Sequence, residues 1–124
     1  MQTTQTNNLS DLVCLSHLRW NFVWQRPQHL LSRFAKHQRV FFVEEPVGSD
    51  ESSPRTEITR HESGVMVCVP QIPHEQMSDG EAIQQNLLGE LLQTHDIKDY
   101  FVWYYTPMAL GFSQELKPKA VIFD

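Results

Sequence analysis

The sequence predicts an α/β fold in three layers: a mostly parallel sheet with helices on both faces and an antiparallel hairpin at one edge. Short apolar runs at 12–15, 40–43, 65–69, 100–105 and 120–123 have the length and composition of buried strands. Two stretches with helical spacing, near 27–37 and 79–93, separate some of these runs, as crossover helices do in βαβ units. The chain of 124 residues is one domain's worth, long enough to bury a single core.

Taken in order, residues 1–9 are polar and are expected to be disordered. Residues 11–16 (DLVCLS) are too short and too apolar for a surface helix, and read as a buried central strand. Pro27 suits the first position of a helix, where its missing N–H is not needed. Leu30, Leu31 and Phe34 then recur at helical spacing and place one apolar stripe against the sheet. The second strand, 39–44, ends in Glu44, Glu45 and Pro46, and a Gly, Ser, Asp and Pro-rich loop covers 48–55. Residues 56–60 (TEITR) alternate as an edge strand does, a turn at 62–64 follows, and 65–69 (VMVCV) is a buried strand that Pro70 and Pro73 end. Ser78 and Glu81 form an S-x-x-E capping box ahead of Ile83, Leu87, Leu88, Leu91 and Leu92. The β-prone run YFVWYY at 100–105 precedes Thr106 and Pro107, which open a short helix over 108–112. A buried strand at 120–123 comes last. It has no crossover helix behind it, and the chain is expected to be part of a larger domain. The sum of these elements is a Rossmann-like arrangement.

The stretch 17–39 stands apart chemically. It holds five of the ten Lys and Arg residues, three of the six histidines and two of the three tryptophans, with no acid, in a chain of formal net charge -5. The loop that opens it follows the first strand and so lies at that strand's carboxyl end, where open α/β sheets bind ligands. Arg26 precedes Pro27 and offers no side-chain oxygen to cap the helix, which leaves the first N–H groups for water or an anion. His17, directly after the first strand, is a candidate general base. Trp20 and Trp24 are candidates to stack on a sugar ring, with Arg19 or Arg26 holding a phosphate. Tyr104 and Tyr105 end another parallel strand and, if that strand neighbours the first, line the same crevice.

Other chemistries are excluded or weak. The loop after the first strand contains no glycine, so neither a dinucleotide fingerprint nor a Walker loop is present, and Glu44 alone does not make a ribose site. Neither G-x-S-x-G nor H-E-x-x-H occurs. Cys14 and Cys68 lie inside strand candidates and read as buried reduced thiols, and no Cys or His pair has the spacing of a metal site. Net acidity argues against nucleic-acid binding. The apolar runs are too short for a membrane span and the N-terminus has no signal-peptide pattern.

Four segments carry a resemblance. Residues 20–30 (WNFVWQRPQHL), 40–46 (VFFVEEP), 69–73 (VPQIP) and 103–110 (WYYTPMAL), in that order, resemble the N-terminal, acceptor-side domain of GT-B glycosyltransferases of the bacterial cell-surface polysaccharide type. The resemblance implies a cytoplasmic protein, with peripheral contact at the inner membrane face, that moves a sugar from a nucleotide sugar to a polysaccharide or glycolipid acceptor. It implies no cofactor. It places the donor on a C-terminal domain that this chain does not contain, so residues 10–124 alone are expected to be inactive. By the same resemblance, Gln28 and His29 join Arg19, Trp20, Trp24, Arg26, Tyr104 and Tyr105 as substrate-binding candidates. A non-catalytic Rossmann-like module that binds a nucleotide or a protein is the alternative.

Overall fold

The computed structural model describes residues 10–20 and 26–123. Its first unit is β1 (Asp11–Leu15), helix α1 (Arg26–Phe34) and β2 (Val40–Val43), with β1 and β2 parallel and Leu12 opposite Val40. Then follow β3 (Val47–Ser49), β4 (Arg55–Arg60), β5 (Met66–Pro73), a 3-10 segment (His74–Asp79), helix α2 (Gly80–Thr94), β6 (Tyr100–Tyr104), a second 3-10 segment (Pro107–Gly111) and β7 (Ala120–Phe123). All neighbouring strands run parallel except β4, which pairs antiparallel with β5. The fold class is therefore the one the sequence predicts.

The registers fix the sheet. Met66 to Cys68 of β5 pair with both β2 and β4, while Gln71 pairs with both β3 and β4. A strand has two edges, so β4 takes one and β2 and β3 share the other. They form a single line interrupted at 44–46. Pro70 falls in the corresponding gap of β5, where the ladder on that side is already broken. This is why β5 runs through Pro70 to Pro73 instead of ending there. It is also why the loop expected from 48 onward opens with β3, whose three residues pair with the far end of β5.

β1 lies between β2 and β6, and β7 forms the far edge. Alternation along each strand splits the core in two. Val13, Leu15, Phe41, Val43, Cys68, Val102 and Tyr104 face Leu88 and Leu91 of α2. Leu12, Cys14, Val40, Phe42, Val67 and Trp103 pack in a second cluster with Leu31 of α1 and Trp20. Each aliphatic side chain buried this way stabilises by about 1.5–3 kcal/mol. Among the described side chains of α1, Gln28 and Leu31 are buried, and Phe34 sits at the rim of the stripe, 41% exposed, edge-on to Trp103. Both cysteines are buried and unbridged, and burial, with the Glu44 carboxylate adding to it, pushes the Cys68 thiol up to about 12.

Two expectations are corrected. The capping box does not form, because the 3-10 segment runs directly into α2 and the Gly80 N–H already bonds the Met77 carbonyl. The N-cap is Asp79, without a side-chain cap bond. β7 is not a buried strand: Val121, Ile122 and Phe123 are exposed because β7 is the sheet edge. Among the described residues, no helix is long and apolar enough to cross a membrane.

Candidate functional site

The sheet changes direction of strand order on either side of β1, so its switch point lies between β1 and β6. At their carboxyl ends the backbone is tied across: Tyr105 N–H donates to the Leu15 carbonyl at 2.8 Å and Ser16 N–H to that of Val43 at 3.0 Å. Ser16 then turns the chain out of the sheet, its hydroxyl accepting from Leu18 N–H at 2.9 Å.

Glu44 pins the emerging loop to the end of β2. Its buried carboxylate accepts from Trp20 N–H at 2.7 Å and from Arg19 Nη1 at 3.1 Å. The same Nη1 donates to the Glu45 carbonyl at 2.6 Å. Glu44 therefore serves the loop, not a ribose. Trp20 is fully buried, edge-on to Phe42 at 5.0 Å and His61 at 5.3 Å. Gln28, also fully buried, donates from Nε2 to the Trp20 carbonyl at 3.3 Å. Trp20 and Gln28 thus fasten the loop from below and present no surface to a ligand.

On the other side, His17 Nδ1 lies 3.1 Å from the Tyr105 carbonyl. A carbonyl oxygen only accepts, so Nδ1 carries the proton, and in the neutral ring Nε2 keeps its lone pair. His17 is exposed. Tyr105 is half-buried and stacks on Trp103 at 6.0 Å. Tyr104 is buried; Ser113 Oγ donates to the Ala109 carbonyl at 2.7 Å, which leaves the tyrosine hydroxyl to donate to Ser113. Tyr104 therefore anchors the connection after β6. His29 is exposed on α1. Trp24 and the Arg26 side chain lie outside the described residues.

These ties frame a crevice of about 360 Å³ at the carboxyl edge, lined by Ser16, Val43, Glu44, Glu45, Pro46, Glu81, Gln84, Thr106, Ala109 and Phe112. Its size is at the small end of small-molecule sites, which run from roughly 300 to 1,000 Å³. Among the described residues, none of the catalytic and substrate-binding candidates read from the sequence lines it; His17 and Tyr105 are the chain neighbours of Ser16 and Thr106, which do. The sequence reading placed Thr106 at the crevice, within 104–107, and missed Glu45, Glu81, Gln84 and Phe112 as lining residues. Strand-end positions were the available signal for Glu45 and Thr106; Glu81 and Gln84 needed the helix docked.

A larger concavity of about 880 Å³ opens at the amino ends of the strands, around Asp11, Arg39, His95 and Asp96. Volume does not make it the better site. The Arg39–Asp11 pair forms part of its wall, and ligands of open α/β sheets bind at the carboxyl edge. Among the described residues, no group of three or more His, Cys, Asp and Glu is placed to hold a metal ion.

No protein-family model matches the sequence, and no curated protein matches it either. Among solved structures, the chain is similar to a GT-B glycosyltransferase from E. coli, trehalose-6-phosphate synthase, bound with UDP-2-fluoro glucose. The TM-score is 0.54 at 13% sequence identity, over 86% of this chain and 30% of that one. The likeness shows a GT-B-like, Rossmann-like fold. The chain spans under a third of the length of the structure it matches.

Proposed function

We propose that the chain is the acceptor-side part of a GT-B glycosyltransferase that moves a sugar from a nucleotide sugar to a cell-surface polysaccharide or glycolipid acceptor. The observation that carries this is the crevice at the β1–β6 switch point, in a sheet that superposes on such an enzyme. The nucleotide-sugar donor is assigned to a second domain beyond this chain. The exposed apolar side chains of β7, with Phe123 at 65%, support a further element packing there. The same proposal makes the protein cytoplasmic, with peripheral contact at the inner membrane face.

His17 is the proposed general base. With Nδ1–H held by the Tyr105 carbonyl, Nε2 takes the proton of an acceptor hydroxyl as its oxygen attacks the anomeric carbon and the nucleoside diphosphate leaves. Trp24, Arg26, His29 and Tyr105 are proposed to contact the acceptor beyond the crevice, whose lining includes neither His29 nor Tyr105. Arg19, Trp20, Gln28 and Tyr104 hold that surface in place. The 124-residue chain alone should show no sugar transfer. In the same chain joined to its donor domain, His17→Ala should lower kcat/KM by about two to four decades while circular dichroism and unfolding midpoint stay unchanged. Full activity in that variant removes His17 from the reaction. A joined protein that turns over no nucleotide sugar removes the glycosyltransferase reading itself.

A further inference from the structure

We infer that the carboxyl-edge crevice selects a hydroxyl-rich acceptor end without negative charge and turns away a phosphorylated one. The inference rests on the acceptor-site reading and names the ligand class of that site. The crevice walls hold three carboxylates, Glu44, Glu45 and Glu81, and no Lys or Arg among the described residues. Arg19 balances Glu44. Glu45 and Glu81 form no ion pair among the described residues, so the described walls of the space between β2, α2 and the connection after β6 present two unpaired carboxylates.

Such a wall discriminates by chemistry. Ionised carboxylates only accept hydrogen bonds, and a sugar's hydroxyls can donate to them. A phosphate ester has acceptor oxygens and charge of the same sign, so it meets repulsion and unpaired acceptors together. Val43, Ala109 and Phe112 supply an apolar floor for the C–H face of a sugar ring, and the Gln84 amide supplies both a donor and an acceptor. The position of Glu81 is built in by a missing side chain. A Cβ at Gly111 would run into its carboxylate, so glycine there is what lets the acid lie against the wall.

The test titrates the 124-residue chain, uniformly labelled with nitrogen-15, with methyl β-glucoside, glucosamine and glucose 6-phosphate at one ionic strength. Methyl β-glucoside and glucosamine should shift the amides of Ser16, Glu45, Gln84 and Thr106, and glucose 6-phosphate should bind there at least tenfold more weakly. The E45Q/E81Q variant, similar in shape without the two charges, should narrow that gap at least threefold and leave methyl β-glucoside unchanged. Glucose 6-phosphate binding as tightly as the neutral sugar overturns the selection while the acceptor site stands. An unchanged gap in E45Q/E81Q removes the two carboxylates as its cause and overturns the inference. If none of the three sugars moves these amides, the crevice is not the acceptor site and the inference falls with it.

Discussion

Each edge of the sheet carries an arginine clasped to an acid on a neighbouring strand, and the two clasps are built differently. At the amino edge, Arg39 grips Asp11 with two nitrogens, Nε to Oδ1 at 2.8 Å and Nη2 to Oδ2 at 2.6 Å. Its Nη1 donates to the His95 carbonyl at 2.7 Å, and its guanidinium lies 5.5 Å from the centre of the Phe41 ring. The Asp11 bond, before its charge, raises the Arg39 pKa, and burial opposes both. At the carboxyl edge, Arg19 makes both of its bonds among the described residues from Nη1 alone. The first clasp engages three nitrogens and braces the wall of the wider concavity. The second spends one nitrogen beside the smaller crevice. A parallel sheet can be braced firmly at one end and lightly at the other.

The largest effect expected at either edge comes from neither arginine. The carboxyl-edge loop is held by the Trp20 indole, so Trp20→Ala should cost about 3–5 kcal/mol in urea unfolding. A loss under about 1 kcal/mol would mean that the ion pair, not the indole, fixes the loop. The clasps themselves should then separate. Asp11→Asn breaks a two-point, charge-assisted contact and should cost about 1.5–3 kcal/mol. Arg19→Ala should cost about 1 kcal/mol or less, because Arg19 reaches Glu44 through one nitrogen only, and Glu44 keeps the Trp20 N–H and borders the crevice, where water can replace the guanidinium. Equal losses for the two variants would erase the difference between the edges.

Much of this architecture was legible in the residues. The runs at 12–15 and 40–43 with a helix between them gave the βαβ unit, and the length of YFVWYY gave a strand at the right place for β6. Elements that depend on distant partners were not legible. β3 hides among Gly and Ser because three residues of pairing to β5 make it a strand, and local propensity says nothing of that. The prolines of β5 read as stops because the break between β2 and β3 that tolerates Pro70 exists only in the assembled sheet. Glu81 looked like a cap, since its neighbour Ser78 has the right spacing, and only the 3-10 segment before α2 frees it for the crevice wall. For the loop, residue types located the edge, but burial decided the duties: Trp20 and Gln28 have the chemistry of ligand contacts and the exposure of core.

The central position of β1 also orders the assembly of the fold in time. Pairing β1 with β2 closes a short loop through α1, whereas pairing Asp11 with Tyr100 closes most of the chain. Loop-closure entropy grows with length, so the β1–β2–β5–β4 half forms its ladder at lower entropic cost and β6 docks against it afterwards. The crevice has one wall from each half: Ser16, Glu44 and Glu45 from the early one, Thr106, Ala109 and Phe112 from the late one. The site therefore forms only once the late half docks. In pulse-labelled hydrogen exchange, amides of β6 should gain protection after those of β2 and β5, and simultaneous protection would dismiss that order.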